Sequence, residues 1–383
     1  MADASIEKEK SRSYRIVIII WLPLLIVLVL PFVVAIVLGG IIRSLYLDDM
    51  VFRDVLGQII EGIHFLREYP VQIIEISLVH GSVYALAGVG LTMTYRILKF
   101  ANFAHAELIT FGAYAAYILN VDWGGLSPGI SLLLGVILAF FLGGLLGIGC
   151  DTAVYKHLRK KEAESMSLMI ASIGVGYIIR HVIQQRYGSA PIYYNMPRFE
   201  LSIFGQDIDS LNKSFLILGA RMTLLHLIII VSAIVMVIIL HLLLTHTTLG
   251  KAMRATADNP ILAQAAGIHT ERIIRVTWFV GAGAAAIGGC LRAADTRLAP
   301  ILGFQLLLLI FAVVILGGIG SFYGCILAAY IIGFAESIGV ILLGMVGVST
   351  EYRQAMAFIV LIIVLLIHPT GLLGLKEPGV GEE

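Results

Sequence analysis

The stretch MTLLHLIIIVSAIVMVIILHLLL at residues 222–244 runs for 23 residues without an Asp, Glu, Lys or Arg. A second run of the same kind, IVIIIWLPLLIVLVLPFVVAIVLGGII, occupies residues 16–42. An α-helix needs about 20 apolar residues to cross the roughly 30 Å hydrocarbon core of a bilayer. Both runs therefore predict membrane-spanning helices, and the rest of the chain is interpreted around them.

Composition extends this interpretation to the whole chain. Of the 383 residues, 59% are hydrophobic and 13% are charged, and the mean hydropathy is +0.96. Soluble domains carry about 45–50% apolar and about 25% charged residues, so a cytosolic enzyme and a disordered protein are excluded. Lys and Arg number 26 against 25 Asp and Glu, which leaves no basic field for a nucleic acid. The sequence predicts an all-α, polytopic transmembrane helical bundle in a cell membrane.

Eight further apolar runs are predicted to be helices, at residues 71–95, 103–120, 129–154, 167–186, 273–294, 304–319, 323–345 and 353–367. The ten candidates give about 8–10 spans, because the run 304–319 is short and suits a partial or re-entrant helix. Loops rich in Lys and Arg stay in the cytoplasm. Such residues cluster in the N-terminal tail, at 155–165 and at 245–272. Ten alternating spans place all three clusters, and both termini, in the cytoplasm.

Three parts are predicted along the chain. Residues 1–70 form an N-terminal anchor helix plus an external amphipathic segment at 48–69, residues 71–375 form the transmembrane domain, and residues 376–383 form a cytoplasmic tail. The anchor's apolar run is longer than the roughly 7–15 apolar residues of a signal peptide, which favours a helix that is retained. The largest external loop is expected at 187–221.

Signals for enzymatic chemistry are missing from the sequence. It contains no G-x-x-x-x-G-K-[ST] phosphate loop, no H-E-x-x-H and no G-x-S-x-G. The cysteines Cys150, Cys290 and Cys325 are odd in number and widely spaced, so they predict neither a disulfide framework nor a metal site. The chain is therefore predicted to be no enzyme and to need no cofactor. Intramembrane acids are few, mainly Glu107 and Glu336, which weakens an ion-coupled transporter without excluding it.

A short helix is predicted within the basic segment 245–272. Asp258 or Asn259 suits the cap of a helix N-terminus, Pro260 suits the first helical position, and Gly267 suits the left-handed residue that ends a helix. A helix of two turns is not stable alone in water. It must pack on its own bundle or on a cytoplasmic partner, and the pattern leaves both possibilities open.

Small residues at helical spacing predict close contacts between helices. Gly143 and Gly147 form one G-x-x-x-G pattern, and Gly320 and Gly324 form another. Such faces let helix backbones approach each other. We expect most of them to pack within the chain.

Four blocks of sequence, in order, resemble the branched-chain amino acid ABC transporter permease family. They are GSVYAL at 81–86 leading into NFAHAE at 102–107, GKAMRATADNP at 250–260, ILGGIGSFYG at 315–324 and HPTGLLG at 368–374. The blocks lie within about residues 71–375. The chain departs from the family pattern at Ala106, where Gly is usual, and residues 1–70 have no obvious counterpart.

The resemblance implies the membrane-spanning permease subunit of an ATP-binding-cassette importer for leucine, isoleucine and valine. It further implies a second homologous permease subunit, two cytoplasmic ABC ATPase subunits and an extracytoplasmic solute-binding protein that delivers the substrate. ATP hydrolysis would then belong to the separate ATPase subunits. The alternatives are the permease of a urea, amide or other amino acid importer and, in another class, an ion-coupled secondary transporter.

Asn102, Phe103, His105 and Glu107, together with Glu336, are the candidates for the substrate pathway. A helix that begins inside the protein would direct backbone N–H groups at a substrate carboxylate. A structural interpretation is equally open, with Asn102 as a helix cap and His105 as a buried, hydrogen-bonded histidine. Glu107 suits ordering of the helix start or pairing with a basic residue better than contact with an anionic substrate.

A second set of candidates, Asp258, Asn259, Pro260 and Gly267, is expected to shape the helix that couples the permease to its ATPase.

Charged residues also follow the apolar run 273–294. Arg292, Asp295 and Arg297 are expected to be solvated at an external helix end. For Glu336, a polar contact between helices explains the buried position as readily as a role in the pathway.

Overall fold

The computed structural model describes residues 70–121, 128–194, 198–203, 206–210, 214–217, 220–345 and 349–374. The predicted anchor helix, the amphipathic segment at 48–69 and the tail at 376–383 lie outside these residues.

Helices account for most of the described chain, and their bounds follow the apolar runs. In chain order they are α1 (Pro70–Leu98), α2 (His105–Val121), α3 (Pro128–Cys150), α4 (Lys156–Lys160), α5 (Ser165–Tyr187), α6 (Leu224–His246), α7 (Thr248–Asp258), α8 (Pro260–Ala265), α9 (Thr270–Asp295), α10 (Leu302–Gly317), α11 (Phe322–Met345) and α12 (Arg353–Ile367). A π-helical turn, Asp151–Tyr155, joins α3 to α4, and a 3₁₀ turn, Thr350–Tyr352, precedes α12. The predicted helical bundle is confirmed.

Seven helical stretches of the described chain are long and apolar enough to cross a membrane. They are Pro70–Leu98, Leu132–Lys160, Ser165–Tyr187, Leu224–His246, Thr270–Asp295, Phe322–Gly344 and Thr350–Ile367. Helix α10 has 16 residues and spans about 24 Å at 1.5 Å per residue, less than the hydrocarbon core. The run 304–319 is therefore a short helix, as its sequence predicts.

Helix α9 lies at the centre of the bundle, where it contacts α1, α2 and α3. In the 18-residue apolar stretch of α9, 83% is buried inside the protein, whereas 22% of the corresponding stretch of α6 is buried. The burial of α9 rests on its small residues, because a Cβ on Gly289 would collide with the backbone carbonyl of Ile109 in α2. Apart from His246 at its end, the exposed side chains of α6 are apolar, so α6 presents a surface suited to lipid, whereas α9 is covered by protein over most of its length.

The pair Gly143 and Gly147 packs α3 directly onto α9. A Cβ on Gly143 would meet the side chain of Ala286, and one on Gly147 would lie 2.6 Å from Ala282 Cβ. This predicted small-residue face therefore packs against another helix of the same chain, as expected.

The interpretation of Gly320 and Gly324 as a helix face is wrong. Gly320 lies in the turn between α10 and α11, where its φ of +82° is in the left-handed region that favours glycine. Gly324 packs against the backbone of Gly317 at the end of α10. The two glycines therefore allow a sharp reversal of the chain rather than a contact between two long helices.

Two antiparallel hairpins, which the sequence does not predict, lie within residues 198–223. They pair β1 (Arg198–Ile203) with β2 (Gln206–Ser210) and β3 (Ser214–Ile217) with β4 (Ala220–Thr223). Phe199, Leu201 and Ile203 alternate with polar residues in β1, the period typical of a strand. The alternation in these strands is short, and the segment is more polar than the spans, so the hydropathy pattern that locates the helices does not indicate the strands.

The two basic segments that follow α3 and α6 lie at one end of the bundle. Arg159 of the first and Glu271 of the second form an ion pair at 3.6 Å. Arg159 also donates to both carboxylate oxygens of the fully buried Asp151, at 2.6 and 3.3 Å. We call this the basic end. The opposite end, which holds β4, Asp295 and the start of α12, is called the hairpin end.

Candidate functional site

The segment between α1 and α2 holds the first predicted pathway residues. Asn102 is buried, and its Oδ1 accepts hydrogen bonds from the backbone N–H of Ala104 at 3.1 Å and from the Tyr155 hydroxyl at 3.3 Å. Asn102 therefore caps the turn before α2 and ties it to the π-helical turn after α3.

Two neighbouring residues, His105 and Phe103, connect the same segment to other helices. His105 is fully buried, and its Nε2 lies 2.8 Å from the carbonyl oxygen of Ala87 in α1. The backbone N–H of Phe103 donates to Ser172 Oγ in α5 at 3.0 Å, and the Phe103 ring lies 5.1 Å from that of Phe311 in α10. These contacts agree with the structural interpretation of His105.

The first N–H groups of α2 already have acceptors. The backbone N–H groups of His105, Ala106 and Glu107 donate to the carbonyls of residues 102, 103 and 104, at 3.3, 3.4 and 3.0 Å. A 3₁₀-like turn thus leads into α2 and uses the donors that were expected to face a substrate carboxylate. The start of α2 therefore forms a structural contact between α1, α5 and the π-helical turn, which we call the helix joint.

Glu107 forms an ion pair with Arg180 of α5, which confirms the expected pairing with a basic residue. Arg180 Nε lies 2.9 Å from Glu107 Oε1, and its Nη2 contacts the same oxygen. The guanidinium also lies over the Phe304 ring at 4.6 Å. A buried carboxylate in an apolar span needs such a partner. Arg180 was missed, although it lies inside the run 167–186, where the cost of an intramembrane charge is a signal.

Glu336 lies apart from this segment, in the half of α11 toward the hairpin end. It is 1% exposed and accepts a hydrogen bond from the Tyr84 hydroxyl of α1. Arg353 at the start of α12 pairs with it at 3.0 Å, and His80 Nδ1 lies 3.8 Å away. The structure thus separates the five predicted pathway residues into two groups.

A second polar cluster at the hairpin end joins α1, α6 and α9. His226 contacts Glu75 through Nδ1 and Asp295 through Nε2, the latter at 3.2 Å. Arg292 lies 3.5 Å from Asp295 and is 6% exposed. The expectation of solvated charges is therefore wrong for Arg292 and Asp295, because α1 and α6 cover this end of α9, while Arg297 remains exposed. The acid Glu75 was also missed, although it interrupts a predicted span.

A cavity of about 300 Å³ lies beside this cluster, between α9, α10, α11 and α12. Its charged lining consists of Arg292, Arg297, Arg353 and Glu336. The only one of these four that the sequence indicated for the pathway is Glu336. The cavity is thus lined by side chains from separate helices, and no local sequence motif indicates that these side chains lie together.

At the basic end, the predicted short helix is present as α8. Asn259 Oδ1 accepts from the N–H groups of Ile261 and Leu262 at 3.0 and 3.1 Å, and Pro260 occupies the first turn. Gly267, with a φ of +84°, follows the end of α8 as predicted. Asn259 is therefore the cap, and the competing candidate Asp258 instead ends α7.

The apolar side chains of α8 point away from the bundle. Ile261 is 77% exposed and Leu262 is 66% exposed, whereas Ala263 is buried. The helix is held by its cap and by Gln264, whose Nε2 donates to Thr270 Oγ1 at 2.8 Å. Two large apolar side chains on a well-anchored helix form a surface suited to a protein partner.

Comparison with known proteins gives one consistent result. The sequence model of one protein family, the branched-chain amino acid transport system permease component, matches residues 73–365. No solved structure matches. The high-affinity branched-chain amino acid transport system permease protein LivH of Salmonella typhimurium is 30% identical over 302 residues, which cover 78% of this chain and 93% of the relative. LivH of Escherichia coli K12 gives the same identity and coverage.

A more distant organism supplies a similar relative. The probable branched-chain amino acid transport permease protein LivH of Methanocaldococcus jannaschii is 30% identical over 311 residues, 79% of this chain and 92% of the relative. The match to the family model, residues 73–365, covers α2 to α11 completely and most of α1 and α12. With its spanning helices, the chain is a multi-pass cell-membrane protein, and it belongs to the family of branched-chain amino acid transport system permease components.

Proposed function

We propose that the chain forms part of the translocation pathway of an importer for leucine, isoleucine and valine. The substrate class follows from the names of the relatives, which describe branched-chain amino acid permeases. The family and these names do not favour the alternative of a urea or amide importer. No further function is favoured by a feature of the described residues.

The exposed apolar surface of α8 carries the mechanistic part of the proposal. Ile261 and Leu262 together present two large side chains to water at the basic end, and burying them in a groove of a partner is favourable. An ABC ATPase on this side would press on α8, and the capped helix would pass that movement to α9 through the short link at Gly267. ATP binding by the partner would thus bias the permease between two conformations.

The complete assembly would contain this chain, a second homologous permease subunit, two ATPase subunits and a solute-binding protein outside. The basic end would face the cytoplasm, because Lys and Arg accumulate there. Residues 71–375 would form the permease domain, residues 1–70 an added anchor with its external segment, and residues 376–383 a tail inside. Asn102, Phe103, His105 and Glu107 would then support the pathway as a helix joint, and Glu336 would line it.

Purification of the tagged chain from native membranes in mild detergent tests this proposal. We expect two phosphate-loop ATPases and a second permease to be identified by mass spectrometry of the co-eluting proteins. The Ile261→Asp variant should lose the ATPases, because it places a charge in the contact, while remaining in the membrane.

Met166→Asp is the matched control. Met166 is 64% exposed and lies in the first turn of α5, where an aspartate suits the helix dipole. This variant should keep its ATPases. A chain that elutes alone, with uptake that follows an ion gradient, would refute the proposal in favour of secondary transport.

A further inference from the structure

The cavity at the hairpin end has an excess of positive charge but also contains one acid. Three arginines and Glu336 line it. Arg353 pairs with Glu336 at 3.0 Å, whereas Arg292 lies 3.5 Å from Asp295, beyond the roughly 2.7–2.9 Å of a charge-assisted hydrogen bond. The guanidinium of Arg292 is therefore buried with a loose partner. Such a lining suits a ligand that carries both an anionic and a cationic group.

One wall of the same cavity is apolar. Leu302, Leu306 and Leu309 line it, and their spacing of four and three residues places them on one face of α10. Each is at most 5% exposed. A branched aliphatic side chain that packed against these three leucines would lose contact with water, and this burial of apolar surface is favourable.

The rim of the cavity is held by contacts far apart in sequence. Ile192 and Leu298 form an antiparallel bridge, with two backbone hydrogen bonds of 2.8 Å. The Tyr194 hydroxyl donates to the carbonyl of Ala113 at 2.5 Å. Between these anchors, Tyr193 is 65% exposed and lines the cavity. The opening is thus built from ordered backbone, on the side of the bundle opposite α8.

We propose that this cavity binds the α-amino acid itself. The substrate carboxylate would lie at Arg292 and Arg353, its ammonium group at Glu336, and its branched side chain against the leucines of α10. This inference rests on the proposed function and assigns to the permease a substrate site of its own, in addition to that of the solute-binding protein.

Protection of an introduced cysteine tests the site without the binding protein. The native cysteines, Cys150, Cys290 and Cys325, are buried, so Gln305→Cys in the cavity lining provides a reporter for a charged methanethiosulfonate. The assembled importer in detergent is labelled with and without leucine. We expect leucine to slow the labelling. Leucinamide, which lacks the carboxylate, and 4-methylvalerate, which lacks the ammonium group, should slow it less.

Variants then separate binding from a structural effect. Arg353→Gln should raise the leucine concentration that gives half-protection about tenfold or more, because it removes a hydrogen bond to a charged group. Arg186→Gln, an exposed arginine at the same end of the bundle, should leave it unchanged. Leu306→Ala removes apolar atoms from the wall and so enlarges the cavity beside α10, and it should improve protection by phenylalanine relative to leucine.

Thr296→Cys, elsewhere in the lining, is the second reporter if Gln305→Cys does not assemble. Equal protection by leucine, leucinamide and 4-methylvalerate would overturn the proposal, as would unchanged half-protection in Arg353→Gln. Uptake and ATPase co-purification are measured separately with the unmodified chain. If these succeed while protection fails, the permease function stands and the site is refuted; if uptake of branched-chain amino acids is absent, the proposed function itself has failed.

Discussion

Glu107 and Arg180 show how a charge is accommodated inside an apolar bundle. The carboxylate is 1% exposed, and the guanidinium both pairs with it and lies over the Phe304 ring. Taking two charges out of water is costly, and the pair repays that cost only when both partners are present. The value of the pair is therefore best measured by removing one partner and then both.

Arg180→Met is expected to destabilise the bundle by about 3–5 kcal/mol, because it leaves the buried Glu107 carboxylate unpaired. The double variant Glu107→Gln, Arg180→Met should recover much of this loss. Thermal unfolding followed by gel filtration of a fluorescent fusion measures both. Arg186→Met, at the exposed end of α5, is the control and should change little. A double variant no more stable than Arg180→Met would contradict the ion-pair interpretation.

At the scale of the element, α9 and α8 use glycine for different physical reasons. Gly289 of α9 is needed for space, because the backbone of α2 occupies the position of a Cβ. Gly267 after α8 has nothing within 4 Å of a Cβ, and its φ is +84°. Space and backbone conformation can therefore be tested independently.

Gly289→Ala should destabilise the protein by about 1–3 kcal/mol, since added volume in a close-packed contact forces the helices apart. Gly149→Ala is the matched control, because Gly149 is exposed on α3 with no atom near a Cβ. It should stabilise by about 0.5–1 kcal/mol through helix propensity. Thermal unfolding in detergent measures the two changes, and the same sign in both would refute close packing at Gly289.

Gly267→Val should strain the link after α8 by about 1–2 kcal/mol, because an L residue with a Cβ avoids the left-handed region. Gly267→Asn should be tolerated, since asparagine adopts this conformation at helix ends. Uptake and the amount of co-purifying ATPase are the measurements. We expect both to fall in the valine variant alone; equal behaviour of the two variants would show that the left-handed link is unimportant for coupling.

At the scale of the whole molecule, two segments distant in sequence share one end of the bundle. Arg159 and Glu271 join the segment after α3 to the start of α9, as expected if both lie on one side of the membrane. The opposite end collects the hairpins, the polar cluster around His226 and the cavity. The bundle thus has a basic end with an exposed apolar helix and a hairpin end with a polar cavity.

Labelling of single cysteines tests this orientation. Ser189→Cys, exposed between α5 and β1, should react with a membrane-impermeant maleimide in intact cells. Lys160→Cys at the basic end should react only after permeabilisation. The native cysteines are buried and should contribute little signal. Labelling of Lys160→Cys in intact cells would reverse the proposed topology.

Much of the fold follows from local sequence. A span must be mostly apolar over about 20 residues, so α1, α6 and α9 could be located from hydropathy, and the cap, proline and glycine around α8 from backbone geometry. The pairing of Glu107 with some basic residue could also be expected, since an intramembrane acid needs a partner. These features depend on residues that are neighbours along the chain.

The identity of partners across the bundle required the packed structure. Arg180 for Glu107, and Tyr84 with Arg353 for Glu336, lie on helices brought together only by assembly. Arg292 was expected in water and is buried, because α1 and α6 close over the end of α9. Composition and hydrophobic periodicity along the chain determine which segments leave water. Contacts between distant segments depend instead on how those segments pack. The cavity is lined by residues from several helices, so only the tertiary structure reveals it.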